Sequence, residues 1–266
     1  MKTLNEILQI IEENQKKFNT EQKEFSYSTL KHKRSELISL GEKIGCLRDD
    51  FQAIFGSMET TTKYSHFNHS LCWGVHTPSP LDYYVLGKRK RIKKLYNKPL
   101  EDANMYYVYK YNNGQLVELS RYLNDKFVEN KIHYVEYFCH LNKSVYSIRF
   151  DEDNKYKVTI CEAKFNDRNK IISFSQIVTA GLPDNETDEN IIKWCQRGMN
   201  GALMDYQHFN YEKDKLFSAD SYTRIYDFSP QISGYEFGNR YMFVYDENNK
   251  IKSVEGTGFK PCVFRG

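Results

Sequence analysis

A short stretch near position 70 contains four side chains that can bind a metal: His66, His69, Cys72 and His76. Imidazole nitrogens and thiolates are ligands that zinc accepts, and close spacing lets one loop present several of them. The spacing does not match a zinc finger, in which two ligand pairs are separated by a longer loop. A zinc site at these residues is therefore one hypothesis, and a loop in which they only pack or face water is the favoured alternative.

Cys72 precedes Trp73, and this pair raises the possibility of a thiol nucleophile. Such a nucleophile requires a nearby base, which His133 or His140 would supply, and a third group that orients the base. The pair is similar to the Cys-Trp pair of papain-like enzymes, but Asn68 to Leu71 stand where those enzymes have glycines and a second cysteine. A buried Cys and Trp is the interpretation that the residues favour over a hydrolase.

The run from Lys88 to Lys94 has six basic residues among seven and offers phosphate contacts. Each phosphate neutralised by such a run adds salt-dependent affinity for nucleic acid. The same run suits a solvated loop or an edge strand protected by lysine. The net charge of the whole chain is only +3, so nucleic-acid binding is the less favoured interpretation.

The elements that must position these residues are mainly strands. The chain has 21 Tyr and 17 Phe against 6 Pro, and aromatic side chains suit a pleated, half-buried surface. From Met105 onward, apolar and polar residues alternate between polar turns. Asn113-Gly114 between two alternating runs is the strongest of these hairpin signals. The repeated unit is an aromatic strand end, an Asp- or Asn-rich turn, Lys or Gln, and an apolar residue that begins the return strand.

Two segments have helical patterns instead. Residues 1–56 predict a helical N-terminal segment, with a capping box at Thr3 and Glu6 and later apolar residues at helical spacing. Ile191, Ile192 and Cys195 predict one short internal helix. The expected fold is mainly β, of the α+β class: eight to ten antiparallel strands over residues 57–266 form a large meander sheet or an incomplete barrel, and the N-terminal helices pack on it.

The aromatic residues also include the candidate binding residues. Tyr107, Tyr109 and Tyr111 share one face of a strand, and Tyr241 and Tyr245 share one face of another. If Val108 and Val244 face the core, these tyrosines are available to a partner, and Tyr is enriched in protein interfaces. The alternative, which we favour, is that the aromatic faces are themselves core.

The cellular setting follows from what the sequence lacks. No N-terminal apolar run indicates a signal peptide, and no apolar stretch approaches the roughly 20 residues that span a bilayer. The six cysteines are scattered without a Cys-x-x-Cys pair. We therefore expect a cytoplasmic protein with reduced thiols and no membrane partner. The abundance of Lys and Asn is typical of bacterial genomes with low GC content.

The hairpin units Tyr109–Leu116 and Phe243–Ile251 resemble the tyrosine–aspartate hairpins of toxin-associated bacterial proteins, including immunity proteins of polymorphic toxin systems. This resemblance implies a non-catalytic protein-binding module that neutralises a cognate toxin and needs no cofactor. Two alternatives remain open at this point. The first is a thiol- or zinc-dependent hydrolase at Cys72 and its neighbouring histidines, and the second is a nucleic-acid binder at Lys88–Lys94.

Overall fold

The fold is known from a computed structural model, and it is mainly β, as predicted. The structure describes residues 2–18, 27–45, 48–68, 70–72, 79–81, 84, 94–100, 103–125, 128–151, 159–178, 203–225, 236–256 and 262–263. Three helices precede one antiparallel sheet, which has twelve strands in the described part of the chain. The predicted internal helix near Ile191 lies outside the described residues, as do His69, Trp73, His76 and the basic run up to position 93.

The three predicted N-terminal helices are confirmed as α1 (Leu4–Phe18), α2 (Tyr27–Ile44) and α3 (Arg48–Gly56). The Thr3 amide donates to Glu6 Oε2 at 2.6 Å, and the Glu6 amide donates to Thr3 Oγ1 at 3.3 Å, so the capping box begins α1. Helix α2 ends before Gly45, whose φ of +99° lies in the left-handed region that glycine readily adopts.

The strands pair only with their neighbours along the chain, in the order β1 to β12. Their bounds are β1 Thr61–Ser65, β2 Met105–Asn112, β3 Gln115–Asp125, β4 Val128–Leu141, β5 Ser144–Asp151, β6 Thr159–Phe165, β7 Ile171–Val178, β8 Leu203–Glu212, β9 Lys215–Ile225, β10 Glu236–Tyr245, β11 Ile251–Gly256 and β12 Cys262–Val263. The sheet is therefore an open meander with β1 and β12 at its edges.

The repeated hairpin unit has one local geometry in two distant places. Asn166 Oδ1 accepts hydrogen bonds from the amides of Arg168 and Lys170, and Asp246 Oδ1 accepts from the equivalent amides two and four residues later. Asn169 and Asn249 then have positive φ values of 55° and 60°. Asn and Asp favour such turns because their side chains bond their own backbone and tolerate this conformation.

One face of the sheet, here called the helix face, is covered by α1 to α3. Phe55 stacks on Tyr137 of β4 with ring centroids 4.9 Å apart, and Phe51 lies 5.4 Å from Phe150 of β5. Ile7 and Ile11 of α1 are buried in the same cluster. Burial of such side chains stabilises the fold by about 1.5–3 kcal/mol each, so this cluster attaches the helical segment to the sheet.

The opposite face, here called the loop face, is covered by the segment that joins β1 to β2. Leu71, Cys72, Leu81 and Tyr84 of that segment pack on apolar residues of the sheet. Tyr64 of β1 and Tyr96 exchange two backbone hydrogen bonds, at 3.0 and 2.9 Å, which returns the segment toward β2. Within the described part of residues 57–104, β1 is the only strand.

Candidate functional site

A buried carboxylate on β4 holds the loop that carries Cys72. Glu136 is completely buried, and its Oε1 accepts hydrogen bonds from the amides of Leu71 at 3.0 Å and Cys72 at 3.1 Å. Its second oxygen accepts from the Ser70 hydroxyl. A similar contact lies further along, where the Leu81 amide donates to Gln207 Oε1 at 3.1 Å. Side chains of the sheet thus satisfy backbone donors that the loop would otherwise leave unpaired.

The thiol of Cys72 lies deep in this arrangement. Its Sγ lies 3.3 Å from Ser147 Oγ and 3.4 Å from Cys161 Sγ, and Cys161 Sγ lies 3.1 Å from Gln176 Oε1. Both thiols are completely buried. Burial raises the pKa of Cys72 well above its usual value, and the contact with Cys161 and the charge of Glu136 raise it further. A neutral, inaccessible thiol is a poor nucleophile.

The histidines proposed as a base for Cys72 make other contacts. His140 Nε2 lies 2.7 Å from the Leu116 carbonyl oxygen, and His133 has its ring 6.1 Å from that of Tyr134. The geometry therefore favours the packing interpretation of Cys72 over the hydrolase. The sequence contains one sign that Cys72 is buried: the Leu71–Val75 stretch has few polar residues beside it.

The proposed zinc ligands are only partly described. His66 is exposed and its ring lies 5.9 Å from that of Tyr96, whereas Cys72 is completely buried. Within the described residues, no group of three or more His, Cys, Asp or Glu side chains is arranged to hold a metal ion. His69 and His76 lie outside those residues. Of the basic run, Lys94 is described, and its Nζ lies 5.1 Å from the centroid of the Tyr96 ring.

The tyrosines predicted as partner contacts face inward. Tyr107 and Tyr109 are 2% and 0% exposed, Tyr241 is 8% exposed, and Tyr111 and Tyr245 are half-buried. They lie on the loop face, where the Tyr109 hydroxyl donates to the Phe67 carbonyl at 2.5 Å. The expectation that Tyr107, Tyr109 and Tyr241 stand free for a partner is therefore not met, and the interpretation of the aromatic faces as core describes them.

Strand β10 has the orientation of the favoured interpretation, with its aromatic side chains and not Val244 toward the core. Val244 is 37% exposed, while Phe243 is 5% exposed and packs against the loop that covers the sheet. An aromatic ring buries more apolar area than valine, so the register that places the aromatic side chains inside is the more stable one. In β2 both faces are buried, because Val108 is buried on the face opposite to the tyrosines.

A charged network that the sequence analysis missed lies beneath α2 on the helix face. Lys33 Nζ lies 2.5 Å from Glu36 Oε2 and 2.9 Å from Glu162 Oε2, and the Tyr146 hydroxyl donates to Glu162 Oε1 at 2.5 Å. Burial lowers the pKa of Lys33, but the two carboxylates outweigh burial and hold that pKa above its usual value. The sequence contains a signal for this network: Lys33 lies four residues before Leu37 and therefore on the apolar side of α2, where a charge needs a buried partner.

A second charged row crosses the helix face further along the sheet. His208, Asp220 and Arg240 are direct neighbours on β8, β9 and β10. Arg240 Nε lies 2.6 Å from Asp220 Oδ1, and Nη2 lies 3.3 Å from Oδ2. The Asp220 side chain is 6% exposed and that of Arg240 is 63% exposed. Burial lowers the pKa of His208, and the charge of Asp220 opposes this effect.

Comparison of the chain with known protein families, with curated proteins and with solved structures finds no match. None of the helices α1 to α3 in the described part of the chain combines the length and the apolar character needed to cross a membrane.

Proposed function

We propose that the chain is a non-catalytic protein-binding module that contacts its partner through the side chains of β10 on the helix face. The observation that carries this proposal is the alternation along that strand. Tyr241 and Phe243 are buried, whereas Arg240 and Val244 are exposed and Met242 is half-buried. Arg240, Met242 and Val244 are here called the β10 stripe. Phe217, next to the Ser218 that pairs with Met242 on the adjacent strand β9, is 41% exposed.

Arg240 is the expected anchor of the interface. Its two contacts with Asp220 hold the guanidinium in one orientation while most of the side chain remains exposed. An ordered arginine loses little further side-chain entropy when a partner binds, which favours affinity. Arginine and apolar side chains together are typical of the centre of protein interfaces.

This surface defines the chemistry of the partner. A carboxylate opposite Arg240 would use the exposed part of the guanidinium, and apolar groups would cover Val244 and Met242. We propose that the partner is a bacterial toxin that the chain neutralises. Support for the toxin comes from the resemblance of the hairpin units to those of toxin-associated proteins. Support for binding rather than catalysis comes from the completely buried, high-pKa thiol of Cys72.

The test compares tagged wild-type protein with the variants Arg240→Glu and Val244→Asp in capture from a lysate of the source cells. Lys98→Glu is the matched control, because Lys98 is exposed and lies near the β1 edge of the sheet. We expect one stoichiometric protein that both stripe variants lose and the control retains. The same protein, expressed alone, should arrest growth, and coexpression of this chain should restore it.

The outcomes separate the parts of the proposal. A partner that binds both stripe variants as well as wild type contradicts the surface assignment. A partner that is harmless to cells contradicts the proposal that the partner is a toxin, but it still supports a protein-binding function. Failure of the folded wild-type protein to capture any stoichiometric partner contradicts the binding module itself.

A further inference from the structure

Two arginines and two tyrosines gather on the loop face at the β2–β5 side of the sheet. Tyr107, Arg121 and Tyr134 are direct neighbours across β2, β3 and β4. Arg149 of β5 lies over the ring of Tyr134, with its Cζ 4.1 Å from the ring centroid. These four residues are here called the arginine–tyrosine cluster. Their exposed fractions are 2%, 7% and 1% for the first three, and 17% for the Arg149 side chain.

Two polar groups of this cluster, the Tyr134 hydroxyl and the Arg121 guanidinium, lack the partners that buried groups normally have. The Tyr134 hydroxyl is buried and has no hydrogen-bond partner among the described residues. Arg121 Nε lies 3.1 Å from Met105 Sδ, and the Tyr107 hydroxyl lies 3.8 Å from the same sulfur. A thioether sulfur is only a weak acceptor. Most buried polar groups are satisfied, so an unpartnered hydroxyl beside two guanidinium groups requires an explanation.

The two arginines also differ in how their charges are neutralised. Arg149 Nε pairs with Asp151 Oδ1 at 2.9 Å, but Arg121 makes no ion pair with the residues that the structure describes. Glu136, two residues after Tyr134 on β4, acts on Arg149 through its charge and already accepts from the amides of Leu71 and Cys72. A nearly buried guanidinium without a carboxylate is costly unless another anion neutralises it.

We propose that the arginine–tyrosine cluster binds a small oxyanion, either a phosphate or a carboxylate. The Nη groups of Arg121 and Arg149 donate hydrogen bonds to its oxygens, as planar guanidinium groups do for both kinds of anion. The Tyr134 phenol is protonated at neutral pH, and burial raises its pKa further, so this hydroxyl acts as a further donor. This site is on the face opposite to the β10 stripe and does not depend on the proposed partner.

The variants follow from the geometry. Tyr134→Phe removes only the hydroxyl that has no described partner, so the unliganded protein should be at least as stable as wild type. Arg121→Met removes the charge and keeps an unbranched apolar stem beside Met105. Arg168→Met is the matched control, because Arg168 is an exposed arginine whose ion pair with Asp214 lies at a hairpin turn.

The experiment measures binding of inorganic phosphate and of acetate by calorimetry, with thermal unfolding in parallel. Sodium chloride at the same ionic strength is the reference. We expect a saturable heat and a rise in the melting temperature for wild type and for Arg168→Met. The affinity of Tyr134→Phe should fall at least about tenfold, and Arg121→Met should show no saturable binding. Circular dichroism establishes that each variant is folded, and Tyr134→Phe carries the test if Arg121→Met is not.

Each outcome bears on the proposal. Saturation by phosphate alone assigns a phosphate site, and saturation by acetate alone assigns a carboxylate site. Equal affinity in wild type and Tyr134→Phe would mean an adventitious ion only. If neither anion stabilises the protein more than chloride does, water alone satisfies the cluster and the proposal is wrong.

Discussion

The ammonium group of Lys33 lies 2.9 Å from Glu162 Oε2, which joins helix α2 to the middle strand β6 across 129 positions of the chain. The same ammonium contacts Glu36 one helical turn away. The side chains of Lys33, Glu36 and Glu162 are 11%, 3% and 2% exposed, so their charges interact with one another and with Lys164, whose Nζ lies 3.4 Å from Glu162 Oε1. The helical segment is therefore attached to the sheet by a buried ionic network as well as by apolar packing.

Replacement of Lys33 by Met should strongly destabilise the protein. The substitution leaves Glu36 buried without its cation and leaves Glu162 only the more distant Lys164, whose Nζ lies 3.4 Å from Oε1. Breaking a buried ion pair costs about 3–5 kcal/mol. Urea unfolding measures this loss of free energy. Lys16→Met is the control, because the Lys16 and Glu12 side chains are 70% and 47% exposed and their ion pair should contribute less than about 1 kcal/mol. Equal losses in the two variants would contradict a special role of the buried network.

Gly238 should resist replacement by Ala. A Cβ at this position would lie 2.7 Å from Cε1 of the Tyr222 ring, which packs over the glycine from the adjacent strand. Overpacking of this kind costs about 1–3 kcal/mol. Gly56, at the end of α3, has nothing within 4 Å of such a Cβ, so Gly56→Ala should be neutral or stabilising in the same denaturation experiment. A neutral Gly238→Ala would show that the Tyr222 ring can move aside.

Removal of the Glu136 carboxylate should make Cys72 reactive in the folded protein. In Glu136→Ala the amides of Leu71 and Cys72 lose their acceptor, so the loop opens more often. Hydrogen bonds to a charged group contribute about 1.5–3 kcal/mol, which corresponds to at least about a tenfold faster alkylation of Cys72. Mass spectrometry after timed iodoacetamide treatment measures the rate. Cys139, buried on the helix face, is the internal control and should not change.

Cys72 and Cys161 should form a disulfide when the protein is treated with hydrogen peroxide. The two thiols, 3.4 Å apart, lose two electrons and two protons together, and the peroxide is reduced to water. The reaction should be slow because burial raises both pKa values. Peptide mapping without reductant identifies the bond, which dithiothreitol should reverse. Closing this chain loop stabilises the fold by at most about 5 kcal/mol. Cys161→Ser should show no stabilisation, and a mixed pairing with Cys139 would contradict the prediction.

Acidification should destabilise the protein in part through His208. Its pKa is lowered by burial in the folded state, so the unfolded chain binds more protons below the unfolded value of about 6.5. The free energy of unfolding should therefore fall as the pH decreases from about 6.5 through the lower folded-state pKa. His208→Gln removes this contribution, so wild type should lose more stability than the variant between pH 7.5 and 5.5. Identical losses in urea unfolding would exclude a contribution from His208.

The sequence was sufficient for the elements whose signals are local. The capping box at Thr3 and the Asn113-Gly114 turn each depend on residues a few positions apart, and the structure confirms both. The hairpin between β4 and β5 was missed, because its turn at Asn142 is short and lacks glycine. The sequence predicts eight to ten strands, whereas the described residues form twelve.

The site could not be predicted in the same way, because its contacts join distant positions. Nothing near Glu136 in the sequence indicates that it accepts amides 64 and 65 positions earlier. The sequence also did not decide which face of β10 points to the core. Tyr241, Phe243 and Val244 are all apolar, so alternation alone cannot tell the two faces apart. Only the packing of the loop against Phe243 determines it.

The linear strand order has a consequence for how such a chain can change in length. In the described part of the chain each strand bonds only to the strand before and the strand after it, although the β1–β2 connection passes over the loop face as far as β10. A complete hairpin inserted between two existing hairpins would therefore leave every other pairing intact and lengthen the sheet by roughly 10 Å, at about 4.8 Å for each strand. The architecture permits growth by duplication of one unit, so the size of the protein is a variable that its topology does not fix.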